Sequence, residues 1–159
     1  MSSGSQKRSA GILLHRRRDE RLEVLLVHPG GPFWARRDEG AWSIPKGEYA
    51  AGEDPLAAAR REFEEELGTP PPGAPAEDLG EIRQRGGKLV RAFALEGDLD
   101  VEAITSNTFA LEWPPRSGRT IEVPEVDRAG WFDLSEAGKK MNPAQVELLE
   151  RLVALRRRS

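Results

Sequence analysis

The chain has 159 residues, enough for one domain with a proper hydrophobic core. Hydrophobic residues make up 38% and charged residues 32%, and the net charge of −3 argues against a general nucleic-acid binder. The absence of cysteine excludes disulfides, thiolate metal sites and a cysteine nucleophile. No apolar run approaches the roughly 18 residues of a membrane span and no signal-peptide pattern follows the polar start, so we expect a cytoplasmic protein.

The first third of the chain predicts a strand pair followed by a long loop. Residues 1–8 are small and polar, and we expect a disordered tail ahead of one domain over residues 9–159. The apolar runs AGILLH and LEVLLVH flank the charged segment RRRDER, which predicts two strands joined by an exposed turn. Residues 29–42 form a loop of a length that is usually functional or disordered. In it, Phe33 and Trp34 are expected either to stack on a base or to cap the core.

The remaining elements alternate between helices and strands. Asp54 followed by Pro55 predicts a helix start, and Gly68 with the prolines after it predicts its end. Downstream we expect strands over 79–84, 88–95 and 129–134, a short helix over 135–141 and an amphipathic helix over 143–155. The stretch over 97–128 is weakly patterned, with a strand expected at TFALEW and a loop with a short extended piece over PPRSGRTIEVPEV. This order predicts a mixed sheet covered by helices, an α/β or α+β sandwich.

The predicted helix after Asp54 carries three acids, Glu62, Glu65 and Glu66, at spacings that place them on one side. Phe63 and Leu67 lie within about 20° of Leu56 on a helical wheel and form the buried face. Glu64 falls on the far side and should not join the other three acids. Carboxylates grouped in this way repel one another unless a cation lies among them, and oxygen ligands favour Mg²⁺ or Mn²⁺.

Spacing alone does not establish a metal site, because acidic helices are often simply solvated faces. Other catalytic schemes have less support. The chain has two histidines, His15 and His28, and no cysteine, which leaves little for a zinc site or a histidine-based triad. Neither of the common glycine-rich phosphate-binding patterns is present.

The full pattern is much more specific than the three acids. Gly47, five residues, Glu53, seven residues and then the run REFEEELG over residues 61–68 resembles the Nudix box, GX5EX7REUXEEXGU. Every fixed letter is matched, and the one departure is Thr69 in the last hydrophobic slot. The order of elements and the WFDL segment before a C-terminal helix extend the resemblance over residues 9–155. It implies an α/β/α sandwich with a mixed sheet between helices, and cleavage of a nucleoside diphosphate linked to another group.

The resemblance also implies roles for the residues of the box. Glu62, Glu65 and Glu66 would bind the metal with help from the Gly47 carbonyl group. Glu53 and Arg61 would form a structural pair that holds the loop to the helix.

The general base is less defined by the resemblance than the metal ligands are. It would be Glu62 or an acid from a distant loop, for which Glu112, Glu122 and Glu125 are candidates. We favour Glu125, because the resemblance implies an acid shortly before the last strand, and Glu125 occupies that position.

Substrate choice is the least determined feature of the sequence. Lys46, Arg36 and Arg37 suit a phosphate chain, and the segment that contains them is similar to Nudix members that act on NTPs or dinucleoside polyphosphates. We therefore expect the substrate to be an NTP or a dinucleoside polyphosphate such as a diadenosine polyphosphate. Open alternatives are an ADP-ribose or nucleotide-sugar hydrolase and a nucleotide-sensing domain without catalysis. A third is a hydrolase of RNA 5′-triphosphate ends, whose groove would be lined by two Arg triplets, Arg16–Arg18 and Arg156–Arg158. We expect a monomer or homodimer.

Overall fold

A computed structural model of the protein describes residues 7–157. The predicted disordered tail lies largely outside these residues, and Arg8, which we had placed in the tail, begins the first strand. In chain order the elements are β1 (Arg8–Arg18), β2 (Arg21–Pro29), β3 (Lys46–Glu48), α1 (Pro55–Leu67), β4 (Glu77–Arg83), β5 (Leu89–Glu96), β6 (Thr108–Glu112), β7 (Thr120–Pro124), β8 (Val126–Asp133), α2 (Leu134–Lys140) and α3 (Glu147–Arg157).

Six of these strands form one mixed sheet in the order β4-β5-β1-β2-β8, with β3 paired to β1. The β1–β5 pair is parallel and the other pairs are antiparallel. Alternation along β1 divides its side chains between two cores: Ile12 packs with Phe63 of α1, whereas Leu13 packs with Leu148 of α3. Helices therefore cover both faces of the sheet, and the predicted α/β/α sandwich is confirmed.

The turn between β1 and β2 is shorter than the sequence suggested. Only Asp19 and Glu20 leave the strands, and both adopt positive φ angles of 52° and 65°, as tight two-residue hairpins require. Arg16 belongs to β1, where it forms ion pairs with Glu23 and Asp98 and lies 4.1 Å from the centre of the Trp131 ring. The predicted strand pair joined by an exposed turn is confirmed, but RRRDER is too long for the turn because its arginines continue the two strands.

Helix α1 begins and ends where its sequence predicts. The Asp54 side chain accepts a hydrogen bond from the Ala57 amide, and Gly68 closes the helix with φ 78°. Phe63 and Leu67 are fully buried and Glu64 is exposed, as expected from the wheel. Ala58 is fully buried as well, while Leu56 is only half-buried.

The C-terminal half differs from expectation in three places. β8 begins at Val126, three residues earlier than predicted, because it pairs with the whole inner part of β2. The expected helix over 143–155 is divided into a 3₁₀ turn over Pro143–Gln145 and α3. In the weakly patterned stretch, the strand expected at TFALEW forms β6 and the extended piece forms β7, but the sequence did not predict that the two pair as a separate sheet. No helix among residues 7–157 is long and apolar enough to cross a membrane.

Candidate active site

The first residues of β1 pair with β3, and its last residues pair with β2. The segment that precedes β3 in the chain contacts the strands β1 and β2 in the gap between these two pairings. The Ile12 amide donates to the Pro45 carbonyl at 3.1 Å, and Val27 and Ser43 exchange backbone hydrogen bonds. A Cβ atom at Gly11 would lie 2.6 Å from that Pro45 oxygen, so glycine permits the close approach. This arrangement places β3 against α1.

Gly47 of β3 lies directly against the Glu62 side chain of α1. A Cβ atom at Gly47 would lie 2.6 Å from Glu62 Cγ and closer still to its carboxylate. The Glu62 side chain therefore occupies the space that any other residue at position 47 would need. Burial raises the pKa of the Glu62 carboxyl, and the neighbouring Glu65 acts in the same direction.

Arg61 and Glu53 form the ion pair expected from the sequence. Arg61 also donates to the Glu48 carbonyl at 3.3 Å and to Glu62 Oε2 at 3.2 Å, and lies 3.7 Å from Glu65 Oε1. The guanidinium group thus joins the loop before the helix to two of the three clustered glutamates.

Glu66 lies deeper than the other glutamates of α1. Its Oε1 accepts a hydrogen bond of 3.3 Å from the Lys46 amide. Burial, followed by repulsion from Glu125, raises the pKa of Glu66 to about 8. Burial also lowers the pKa of the Lys46 ammonium group, with Lys88 contributing in the same direction. The two side chains therefore share a poorly solvated region in which each charge depends on its neighbours.

Glu125 is brought to this region by a chain of backbone hydrogen bonds. The Asn107 amide donates to the Glu65 carbonyl at 3.0 Å, and the Glu125 amide donates to the Asn107 carbonyl at 2.8 Å. Burial raises the pKa of Glu125, and the charges of Glu62 and Glu65 add to the effect. An acid 59 positions beyond Glu66 in sequence is thus an electrostatic neighbour of the α1 glutamates.

A cavity of about 220 Å³ lies beside these groups. Its lining includes Trp34, Lys46, Glu66 and Glu125. Carboxylates, an ammonium group and an aromatic ring therefore meet in one concave site, which is the usual form of a binding site for a charged organic ligand.

The NUDIX domain family model matches residues 5–152. The chain belongs to this family. The resemblance carried by residues 47–69 is confirmed, and the cavity adjoins the Nudix box itself.

Comparison with individual proteins gives partial matches. The chain is 32% identical to an octanoyltransferase of Myxococcus xanthus over 136 residues, which are 84% of this chain and 33% of that protein. It is 49% identical to an RNA pyrophosphohydrolase of Rhodospirillum rubrum over 49 residues, 29% of this chain and 30% of that protein. The matched stretches therefore span about a third of these relatives. The crystal structure of a C. elegans Ap4A hydrolase binary complex matches with a TM-score of 0.65 and 20% identity, covering 95% of this chain and 99% of that one, which shows a shared fold.

The donor chemistry of the Nudix box suits a hard divalent cation, because Glu62, Glu65 and Glu66 offer only oxygen atoms and the pKa values of Glu62 and Glu66 are raised by burial and by neighbouring carboxylates. Their side chains are not gathered on one point: within residues 7–157, no three His, Cys, Asp or Glu side chains are arranged to hold a metal ion. Two of the three glutamates lie beside Arg61 instead. Arg61 contacts Oε2 of Glu62 and Oε1 of Glu65, so each carboxylate retains a second oxygen that could bind a cation.

The candidate substrate-binding residues of the long loop separate into two groups. Trp34 lines the cavity, whereas Phe33 is 54% exposed and meets the Trp34 ring edge-on at 5.0 Å. The Arg37 guanidinium lies 4.4 Å from the centre of the Phe33 ring, and Arg36 is exposed. His28, buried in β2, holds the loop through a 2.6 Å hydrogen bond to the Arg37 carbonyl. Of the loop residues expected to bind substrate, Trp34 lines the cavity, whereas Phe33, Arg36 and Arg37 lie on the rim outside it.

Sequence reasoning missed three amide side chains that also line the cavity, Gln84, Asn142 and Gln145. They come from the end of β4 and from the turn before α3. Their types carry no charge and follow no period, and the side chain of Gln145 reaches Gln84, Ile44 and Ser43 across 61, 101 and 102 positions. The only available signal was the Asn-Pro pair at residues 142 and 143, which indicates a turn and not a site.

Proposed function

We propose that this Nudix domain hydrolyses a pyrophosphate bond in a nucleoside diphosphate derivative, with Mg²⁺ or Mn²⁺ as cofactor. The preferred substrate is an NTP or a dinucleoside polyphosphate. The observation that carries the proposal is the grouping of Glu66, Glu125 and Lys46 on one cavity next to Glu62 and Glu65. Family membership supports it, since Nudix proteins generally use divalent cations such as Mg²⁺. The proposed setting is the cytoplasm, with the chain acting as a monomer or homodimer.

Each residue has a defined part in the proposed reaction. Glu62, Glu65, Glu66 and the Gly47 carbonyl would hold the cation, which when bound neutralises phosphate charge and lowers the pKa of water. Arg61, held by Glu53, restrains the α1 glutamates. Lys46 binds a non-bridging phosphate oxygen as a point charge. Glu125 accepts the proton of the attacking water, for which its raised pKa is suited.

The rim arginines account for the preference for a longer phosphate chain. Arg36 is exposed and Arg37 lies against Phe33, both on the loop that carries Trp34. Guanidinium groups bind phosphates in a forked geometry, so this pair would contact phosphates that extend out of the cavity.

Hydrolysis of RNA 5′ ends is the second candidate. It is supported by the 49% identity over 49 residues to an RNA pyrophosphohydrolase. It requires the Arg triplets to lie near the box. Arg17 is six positions beyond Gly11 on β1, about 20 Å along the strand and away from β3. Arg156 binds Glu77 and contacts His15 toward that same distant end of β1, and Arg158 lies outside the described residues. The described arginines therefore favour the nucleotide proposal over RNA.

Phosphate or pyrophosphate release with Mg²⁺, measured against NTPs, Ap4A, ADP-ribose, a nucleotide sugar and triphosphorylated RNA, tests the proposal. Turnover should be greatest with an NTP or dinucleoside polyphosphate and should stop in EDTA. Glu65→Gln should abolish turnover, while Glu64→Gln, on the exposed side of the same helix, should leave it near wild type. Binding of nucleotides without any turnover would replace the proposal with the sensing alternative, and turnover of ADP-ribose or RNA alone would replace its substrate.

A further inference from the structure

A buried glutamine organises one wall of the cavity. Gln145 is fully buried, and its Oε1 accepts a hydrogen bond of 3.1 Å from the Ile44 amide. Its Nε2 donates to Ser43 Oγ at 3.0 Å and to Gln84 Oε1 at 2.9 Å. Because a backbone amide can only donate, it fixes which end of the Gln145 side chain is oxygen. The Gln84 amide is fixed in turn, with its oxygen toward Gln145.

Asn142 is oriented by a second backbone amide. Its Oδ1 accepts a hydrogen bond of 2.9 Å from the Ala144 amide and so caps the 3₁₀ turn. The Gln145 amide donates to the Asn142 carbonyl at 2.8 Å, so Asn142 and Gln145 belong to the same turn.

Gln84 and Asn142 are therefore oriented in the same sense. Each uses its oxygen within the protein, and each has an NH₂ group that forms no hydrogen bond with any residue of the described chain 7–157. Both residues line the cavity, so each brings to its own part of the wall one NH₂ donor and no unused side-chain oxygen. The carboxylate acceptors of the lining, Glu66 and Glu125, belong to the part of the site beside the Nudix box.

The dimensions of the cavity limit what these donors can bind. Its volume of about 220 Å³ is below the roughly 300–1,000 Å³ of pockets for drug-sized ligands. It therefore suits one ring system better than a whole nucleotide. The Trp34 indole in the lining offers an aromatic surface for such a ring, and the phosphates would lie toward Lys46 and Glu66.

We propose that the cavity takes the base of the nucleotide, and that Gln84 and Asn142 select a purine edge with two neighbouring acceptors. Guanine presents such an edge through O6 and N7, whereas adenine presents an N6 amino donor beside N7. With adenine, the N6 amino group would face an NH₂ group of Gln84 or Asn142, and two donors cannot form a hydrogen bond with each other. The unsatisfied polar group disfavours adenine binding. The inference rests on the proposed function, because it assumes that the substrate is a nucleotide. The substrates that this selection favours are guanine mononucleotides or dinucleotides.

Comparison of kcat/KM for GTP and ATP with Mg²⁺, and for the corresponding diguanosine and diadenosine polyphosphates, tests the selection. We expect a preference for guanine on the order of tenfold or more. The substitutions Gln84→Glu and Asn142→Asp keep the oxygens that Gln145 and Ala144 require and replace each NH₂ donor with an acceptor. The guanine preference should fall toward unity or reverse in both.

The use of a ratio separates base selection from charge, because an added carboxylate repels the phosphates of GTP and ATP alike. Asn142→Ser is the uncharged companion, since serine keeps a capping oxygen without an NH₂ group. It should also lower the GTP to ATP ratio.

Binding of GDP and ADP, followed by calorimetry with and without Mg²⁺, makes the result independent of catalysis. Tighter binding of GDP by a protein that hydrolyses nothing would refute the proposed function and support the base selection. Hydrolysis with equal kcat/KM for guanine and adenine substrates would support the function and overturn the selection. A ratio unchanged by all three substitutions would likewise overturn the roles of Gln84 and Asn142.

Discussion

Gly47 and Glu62 pack so closely that the glutamate side chain fills the position where another residue would carry its Cβ atom. We expect Gly47→Ala to displace the Glu62 carboxylate, since the end of a long side chain yields more readily than the backbone of β3. Displacement of a catalytic group by about 1 Å can lower a rate about 100-fold, and a loss of that order in kcat/KM is expected. The melting temperature should change by only a few degrees.

Gly138→Ala is the matched control for this substitution. Gly138 lies within α2, and a Cβ atom there would meet nothing within 4 Å. Alanine should leave kcat/KM unchanged and raise stability by up to about 1 kcal/mol. Turnover of Gly47→Ala within a few-fold of wild type would show that the position of Glu62 does not limit the reaction.

Glu66 connects catalysis to stability through metal binding. Three glutamates and Glu125 repel one another around a half-buried carboxylate, so the metal-free protein is destabilised by its own site. Mg²⁺ at about 100 times its dissociation constant should add about 2.7 kcal/mol to the free energy of unfolding. Glu66→Gln should raise the melting temperature in EDTA and abolish most of the rise produced by Mg²⁺. Equal Mg²⁺-induced shifts in wild type and variant, measured by calorimetry, would exclude Glu66 as a ligand.

Local patterns explain why α1 could be predicted almost residue by residue. Its start depends on Asp54 and Pro55, its end on Gly68, and its buried face on a 3.6-residue period, all of which lie within one short segment. The box glutamates share a helix, so their common side also follows from spacing. The Arg61–Glu53 pair joins residues eight positions apart and was accessible for the same reason.

The opposite wall of the site depends on contacts between distant parts of the chain. Gln145 reaches Ile44 and Gln84 across 101 and 61 positions, and nothing in the neighbourhood of either residue indicates that contact. The limit of strand β1 was misjudged for a related reason: Arg16 pairs with Asp98, 82 positions away, so a charged residue is retained inside the sheet. Sequence periodicity indicates which face of a single helix or strand is buried. It does not indicate contacts between different elements, which is what these residues form.

Glu125 and Glu122 allow the proposed general base to be tested within one short segment. Glu125 is an electrostatic neighbour of Glu62 and Glu65, whereas Glu122 is exposed on β7 and accepts a hydrogen bond from Thr108. We expect Glu125→Gln to lower kcat by about 100-fold or more, with a smaller change in KM, because a general base contributes about 10²–10⁴-fold. Glu122→Gln should retain wild-type kinetics. Similar kcat values for the two variants would return the role of base to Glu62.

His15 should make the stability of the fold depend on pH in the acid range. The ring is buried in β1, and the Arg156 guanidinium of α3 donates to its Nε2 at 3.2 Å. Burial, followed by the charge of Arg156, lowers the pKa of His15 from 6.5 to about 4, although Glu96 and Glu77 act in the opposite direction.

Between these two pKa values the unfolded chain carries a proton at His15 that the folded chain does not. The contribution of neutral His15 is therefore fully present above pH 6.5 and decreases as the pH falls toward 4, by at most about 1.4 kcal/mol per pH unit. His15→Gln keeps a hydrogen-bond acceptor for Arg156 and removes the titration. Urea unfolding from pH 7.5 to 4.5 should show wild type losing stability relative to this variant below pH 6.5. Parallel stability curves for the two proteins would mean that His15 has the same pKa in the folded and unfolded states. That outcome would contradict a folded-state pKa lowered by burial and by the charge of Arg156.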